Sequence, residues 1–551
     1  MTQNAREKYN QWLNNVTDEK VLAKLKNLSD EEIENNFYKD LEFGTGGMRG
    51  KMDVGTNCLN VYTVARASKG LAAYMLTCGM KSAAITYDSR LNSKLFSEIA
   101  AATLAESGIT VYLTDQCMPT PFVSFLIRQL GADAGVNVTA SHNPKEYNGY
   151  KVYDKTGCQV LDEVANSITD QIEKTGMFDK PLPDYEKYVA CGKILVPSES
   201  LTEKYVQTVL CQRLSDLPCD ITVAYTPLNG AGYKITPTVL KAAGVSNLHV
   251  VAEQSYPDGN FTTCPYPNPE KHEALTKVLE LAKSVHADVV VANDPDSDRL
   301  GVAAFDGSDY QILSGNEVGI LLLDYVLSSL KSQNKLPKNP VVIKSIVTSP
   351  MADAVAKLYG ATVTDVLTGF KYIGDAMNKL ESQNRLADFV FGFEESCGYL
   401  KGDYARDKDG VVAALLTVEM TASYKRQGIL LTDRLDVLYK QVGHFEQRLI
   451  SYRFEGAEGA KIKAELLQGL RDNPFDNLAE QKIDKIEDLL TGENYHVSDV
   501  LIFHAGSDKL VVRPSGTEPL IKCYLFVKGT PSSNKEKLDA MTAQLDHRLK
   551  K

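Results

Sequence analysis

Two rhythms of apolar and polar positions alternate along the chain. Short apolar runs of strand length recur between stretches whose apolar residues fall at helical spacing, the signature of α/β units with parallel strands. Ser82 to Tyr87, Ile221 to Tyr225 and Val341 to Val347 read as the first strands of three comparable units. Val111 to Thr114, Leu248 to Ala252 and Ala361 to Val366 read as their second strands. The third strands carry the sharpest regularity. Ala132-Asp133 precedes an apolar run and then Ser141; Ala287-Asp288 precedes Val289-Val290-Val291-Ala292 and then Asp296; Ala387-Asp388 precedes Phe389-Val390-Phe391-Gly392 and then Ser396. In each case the polar residue follows the aspartate by eight positions, about two residues past a strand of ordinary length.

The flanking segments read differently. The first forty residues are helical in pattern, and Ser29-Asp30-Glu31-Glu32 has capping-box spacing that opens the second helix. Phe43 to Gly50 is a glycine-rich loop that matches neither the dinucleotide fingerprint nor a P-loop. Its amides suit an anion, with Arg49 beside them, although a plain connecting loop explains it nearly as well. After Gly410 a long amphipathic helix is expected over Val411 to Tyr424 and another over Leu431 to Gln441. Glu455 to Gly459 reads as a linker or loop. A helix from Ala460 to Arg471, strands around Asp499 to Phe503, Leu510 to Val512 and Ile521 to Val527, and a terminal helix complete a tail that breaks the repeat. The fold class expected is therefore α/β: three successive α/β domains with mixed or parallel sheets around a central cleft, plus a smaller C-terminal α+β domain. The expected divisions are 1–206, 207–312, 313–445 and 446–551. Ligands of open α/β sheets bind at strand C-terminal ends, so the polar loops of the three units are the places to look.

Composition narrows the partners. A net charge of −11 argues against a nucleic-acid partner, while leaving room for a basic pocket that takes a small phosphorylated ligand. The N-terminal segment lacks the apolar core of a signal peptide, and no run approaches membrane-spanning length. Ten scattered cysteines without a CxxC pair read as reduced thiols in a cytoplasmic protein.

Four loops carry candidate chemistry. Thr139-Ala140-Ser141-His142-Asn143-Pro144 delivers a hydroxyl at the end of a buried strand, with Lys151 returning in the next strand-like run; a polar βα loop without function is the plainer alternative. In Asn293-Asp294-Pro295-Asp296-Ser297-Asp298-Arg299, three carboxylates at alternate positions repel one another unless a cation sits between them. An EF-hand fails, because Arg299 stands where that loop needs glycine and Phe305 where it needs glutamate; oxygen ligands in a compact loop favour Mg²⁺, with a solvated acidic turn as the bland rival. Gly392-Phe393-Glu394-Glu395-Ser396-Cys397-Gly398 suits a polyol, since each sugar hydroxyl can both donate and accept; on its own a surface loop is the better reading, and its place in the repeat is what raises it. Arg513-Pro514-Ser515-Gly516-Thr517-Glu518-Pro519 gathers a guanidinium, two hydroxyls and a glycine amide into a phosphate clamp, where a bare hairpin would not need them together. Lys408, within Arg406 to Gly410, is either a general acid/base or part of a charged helix start.

These loops, in this order from Phe43 to Tyr524, resemble those of the α-D-phosphohexomutase family, whose fold is four domains around a deep cleft. The resemblance implies that Ser141 is a catalytic phosphoserine and that Mg²⁺ is held by its phosphate with Asp294, Asp296 and Asp298. It places Arg49, His142, Lys151 and Arg299 around the reacting group and Lys408 as the acid/base candidate. Glu394 and Ser396 become sugar-hydroxyl readers, Thr368, Gly369 and Lys371 a specificity loop, and Arg513, Ser515, Gly516 and Thr517 the clamp for the non-reacting phosphate. The family often has arginine where this chain has Lys522. The implied activity interconverts glucose 1-phosphate and glucose 6-phosphate, with glucose 1,6-bisphosphate as intermediate and activator. Mannose or ribose phosphates are alternative substrates, and a silent sugar-phosphate-binding protein is the rival outside enzymes. The partners implied are small sugar phosphates, without nucleic acid or membrane, for a cytoplasmic monomer or homodimer.

Overall fold

The computed structural model describes residues 2–44, 46–491, 496–515 and 519–550. Its first three sheets share one topology. The first runs Gly47–Lys51, Tyr147–Asp154, Ala134–Val138, Ser82–Tyr87, Thr110–Leu113, Ile194–Leu195. The second runs Tyr310–Leu313, Leu300–Phe305, Val289–Asn293, Thr222–Thr226, Asn247–Val250. The third runs Thr362–Val366, Val341–Ser345, Phe389–Glu394, Gly398–Leu400. In each, the unit's first strand lies between its second and third, all parallel, and an antiparallel strand returns along the third. Each polar loop is thus the turn between a buried parallel strand and its antiparallel neighbour.

The recurring aspartate has a structural job in two of the three units. Asp133 accepts from the backbone N–H groups of Lys81 and Ser82 at 2.8 and 3.0 Å, and Asp288 accepts from that of Thr222 at 2.8 Å. Each pins the entry of the adjacent first strand. Asp388 instead pairs with Arg385 at 2.9 Å within a 3₁₀ turn. The turns that follow the third strands contain Ser141, Ser297 and Cys397, with φ of 53°, 53° and 64°. Three non-glycine residues in the left-handed region at equivalent turns mark places where surrounding structure over-determines the backbone.

One helix behaves unlike its sequence pattern. Gly410–Lys425 is buried on almost every face, not amphipathic, because it runs between units: it packs on helix Gly232–Ala242 and on strands Val289–Asn293 and Gly398–Leu400. A helix apolar all round belongs inside a protein, and this one welds the second and third units into a common core that includes Val291, Phe391 and Leu416.

The fourth sheet is antiparallel, in the order His444–Arg453, Leu520–Gly529, Asp508–Pro514, Leu501–Ala505, Lys485–Asp488. Helices Gly456–Asp472 and Pro531–Leu549 cover one face through Leu466, Leu470, Leu538 and Met541. Its other face sets Val511, Tyr524 and Phe526 against Ile346, Val347 and Leu367 of the third unit.

Local readings need four corrections. Ser29 caps the third N-terminal helix, Asp30–Phe37, because Glu19–Lys26 is a separate short helix. Gly47–Lys51 is a strand, held by pairing with Tyr147–Asp154, and so the glycine-rich loop ends before Arg49. The stretch read as a linker belongs to helix Gly456–Asp472. Strand His444–Arg453, unforeseen in the sequence, forms because its alternating half-buried residues pair along Leu520–Gly529.

Candidate active site

Ser141 lies at the meeting point of the first two units. It is 4% exposed, and its Oγ donates to Asp294 Oδ2 at 2.9 Å. His142 Nδ1 is 3.1 Å from Ser141 Oγ. Burial, then the guanidiniums of Arg299 and Arg49, push this imidazole well below its ordinary pKa, so it faces Ser141 as a neutral ring. Arg49, exposed on its strand, donates to Asn143 Oδ1 at 3.1 Å, which ties the glycine-rich segment to the serine loop.

Asp294, Asp296 and Asp298 are fully buried, and one oxygen from each falls within 4.8 Å of the others. Burial and mutual repulsion raise the pKa of Asp294 well above the carboxylate range. Against burial, the charges of Lys151 and Lys408 and the hydrogen bond from Thr120 hold Asp296 below it. Asp296 Oδ2 collects Thr120 Oγ1 at 2.8 Å, Thr139 Oγ1 at 3.1 Å and Lys151 Nζ at 3.2 Å. Asp296 Oδ1 has no hydrogen-bond partner, and Asp298 meets Lys408 Nζ at 2.8 Å and Lys151 Nζ at 3.7 Å as ion pairs while receiving no hydrogen bond. Buried carboxylate oxygens left without donors, converging from alternate loop positions, are what a small hard divalent cation requires. The donor set fits such a metal.

The third unit closes over this loop. Leu300 N–H donates to Cys397 carbonyl at 3.0 Å and Gly410 N–H to Ser297 carbonyl at 3.1 Å. Lys408 is bracketed by Asp298 and by Asp407, whose Oδ1 lies at 3.5 Å; although burial opposes it, these two carboxylates raise the lysine well above its ordinary pKa. Asp407 in turn accepts from Tyr153 of the first unit at 2.9 Å. The neighbouring Asp409 caps helix Gly410–Lys425 through Val411 and Val412 N–H groups, so the helix-start reading holds for Asp409 while Lys408 points at the aspartate loop.

Glu394 is buried and accepts from the N–H of Gly369 at 2.6 Å; burial, then the charge of Glu395, pushes it up to about 7. Glu395 is occupied by Ser345 and Thr348 hydroxyls at 2.9 and 3.3 Å. Ser396 is half-buried in the turn between them and Gly398. Thr368 keeps a buried hydroxyl without a partner. Lys371 contacts Asp162 of the first unit at 2.7 Å, an ion pair that spans the units. Arg513 lies over the ring of Tyr524 and is near enough to stabilise the Glu395 carboxylate, and Ser515 is buried beside it. Gly516 and Thr517 lie outside the described residues. Arg299, whose N–H donates to Asp294 at 3.0 Å, extends its guanidinium to Glu270 at 2.5 Å.

Sequence reasoning missed Asp88, Arg90, Thr120, Asp407 and Glu270. Asp88-Ser89-Arg90 was findable, because it is the polar loop at the C-terminal end of a first strand; Glu270 carries no local signal.

The family models for phosphoglucomutase/phosphomannomutase α/β/α domains I, II and III match residues 40–178, 201–307 and 314–441. The phosphoglucomutase of Staphylococcus aureus strain N315 is 34% identical over 535 residues, covering 94% of this chain and 95% of that protein. Among solved structures, a phosphoglucomutase/phosphomannomutase family protein of Burkholderia thailandensis superposes with a TM-score of 0.70 at 18% identity, covering 92% of this chain and 97% of that one. The N-acetylphosphoglucosamine mutase of Aspergillus fumigatus, in complex with GlcNAc-6P and magnesium, gives 0.53 at 13% identity over 100% of both chains; these two likenesses are of fold. The three domain matches and the Staphylococcus aureus relative show a sugar-phosphate mutase, an isomerase. The chain belongs to the phosphoglucomutase/phosphomannomutase family, the α-D-phosphohexomutases.

Proposed function

We propose that this mutase interconverts α-D-glucose 1-phosphate and glucose 6-phosphate through a phosphorylated Ser141 and a glucose 1,6-bisphosphate intermediate. The observation that carries the reading is the 2.9 Å contact between Ser141 Oγ and Asp294 inside the aspartate triad. Asp294, Asp296 and Asp298, with an oxygen of the serine phosphate, would hold Mg²⁺, the metal bound by the Aspergillus relative. Such an ion neutralises charge on the transferring phosphoryl group.

The chain's own residues supply the rest. As the bond from Ser141 Oγ to phosphorus breaks, a bond forms to the free sugar hydroxyl, whose proton leaves while the serine oxygen gains one. Lys408, held as an ammonium by Asp298 and Asp407, is the group we assign to give the departing serine oxygen its proton, the proton released by the sugar hydroxyl then restoring the ammonium. Arg49, Lys151 and Arg299 offset phosphoryl charge, and neutral His142 donates or accepts at Ser141 Oγ without adding charge. Glu394 and Ser396 read sugar hydroxyls, Thr368, Gly369 and Lys371 shape that pocket, and Arg513, Ser515, Gly516 and Thr517 retain the other phosphate while the intermediate turns over. We assign these tasks to four domains divided near residues 206, 312 and 445, one per large sheet. We assign the protein to the cytoplasm; all ten cysteines are free, and among the described residues no helix is long and apolar enough to cross a membrane.

Conversion of glucose 1-phosphate, with Mg²⁺ and a trace of glucose 1,6-bisphosphate, tests the proposal. Turnover lost with EDTA and in Ser141→Ala supports it; faster turnover of mannose or ribose 1-phosphate reassigns the substrate, and inertness toward all three overturns it.

A further inference from the structure

Arg90 is 3% exposed and has spent every terminal N–H on one short segment. One terminal nitrogen donates to the carbonyls of Pro144 and Tyr147 at 2.9 and 3.1 Å; the other donates to those of Ser141, at 2.5 Å, and Asn143. Nε faces Asp88 Oδ2 at 3.3 Å. That carboxylate also accepts from Thr139 at 2.6 Å, and Thr139 Oγ1 receives the backbone N–H of Ser141 at 2.8 Å. Both sides of the Ser141 residue, its N–H and its carbonyl, are therefore tied to the Asp88–Arg90 pair. The residue between them sits at φ 53°, a conformation serine does not hold unaided.

The clamp is closed from the second unit. The ring of Phe261, fully buried, lies 5.0 Å from the guanidinium carbon. Gly259 comes so near that a Cβ there would sit 2.4 Å from Leu91 N and 2.9 Å from both the Arg90 carbonyl carbon and Ser89 O. The turn that presents Arg90 is thus seated against the unit that supplies the aspartates.

We infer that Arg90, braced by Phe261, is the positioning residue that holds Ser141 in its left-handed conformation and aims its hydroxyl at the aspartate loop. Four carbonyls splayed around one planar fork cannot be matched by an ammonium, so lysine at this position keeps the charge and loses the shape. The inference rests on Ser141 as phosphoryl carrier for its kinetic arm, and on geometry alone for its structural arm.

The test uses full-length wild type, Arg90→Lys and Phe261→Leu. Glucose 1,6-bisphosphate labels Ser141 in a rapid-quench single turnover, and trypsin probes the exposed bond after Lys145 in the clamped segment. In Arg90→Lys the expected labelling rate falls by about 30-fold or more while KM for glucose 1-phosphate stays within about threefold, because misplacing a reacting atom costs rate rather than remote binding. Cleavage after Lys145 is expected about tenfold faster than in wild type. Phe261→Leu is expected to show the same pattern at about a third of the size, and it decides the matter if Arg90→Lys does not fold. Labelling within twofold of wild type, with Lys145 still protected, overturns the inference. Wild type that takes no label refutes the serine carrier instead, and the trypsin arm then decides Arg90 by itself.

Discussion

Lys408 Nζ sits 2.8 Å from Asp298 Oδ2, an ammonium from the third unit lodged against the carboxylate triad of the second. A divalent cation entering the triad competes with that ammonium for the same oxygen. Lys408→Ala should therefore bind Mg²⁺ more tightly, by about tenfold at neutral pH, measurable by titration calorimetry. The same variant should retain a residual turnover, about 10²- to 10⁴-fold down, as expected for loss of general acid/base help. Ser141→Ala should fall to background. Equal residual rates in the two variants would remove the distinction between carrier and proton exchanger.

Metal should also act on stability. Three buried carboxylates, two of them pushed upward by burial and repulsion, cost the fold when nothing neutralises them. Mg²⁺ at about a hundred times its dissociation constant should stabilise by about 2.7 kcal/mol, seen as a rise in melting temperature that Asp294→Asn abolishes. An equal rise in that variant would locate the metal elsewhere.

Glu394 gives a pH signature. Its folded pKa, about 7, lies above the ordinary 4.5, so the buried group is most stable protonated. The stability it contributes is full below about pH 4.5 and is lost as pH climbs through 7, on the order of 3 kcal/mol in all. Denaturant melts between pH 5 and 8 should show that decline in wild type and a flatter profile in Glu394→Gln. Parallel slopes would mean that the carboxyl does not ionise in this window.

Gly410 tests the seam between units. A Cβ there would meet Arg299 O at 2.5 Å, Asn293 Nδ2 at 2.6 Å and Ser297 O at 2.7 Å. Gly410→Ala should push the Lys408 loop off the metal loop, costing about 1–3 kcal/mol in stability and lowering kcat with it. A variant with wild-type melting and rate would show that the seam yields freely.

Much of the site was legible because its loops are local. A strand of five or six residues and the turn behind it span one short stretch of chain, so Ser141, Asp296 and Ser396 could be set at equivalent turns by counting from Asp133, Asp288 and Asp388. The aspartates themselves proved to be strand clips in two units, a role that spacing alone does not reveal. Arg513 and Ser515 were found as a cluster of anion-binding residue types, and the fourth sheet brings Arg513 near Glu395 of the third unit.

What the amino-acid order determined by itself is the alternation of strands and helices, the triple repeat and the chemical content of each loop, because these depend on residues within a few positions of one another. Tertiary structure alone decided what lies between distant segments. Helix Gly410–Lys425 is apolar all round because two units press on it, Lys408 meets Asp298 across 110 positions of sequence, and Arg90 grips carbonyls more than fifty residues away. Those contacts form between side chains and backbone groups whose separation along the chain leaves no periodic trace, and it is they that turn four polar loops into one site.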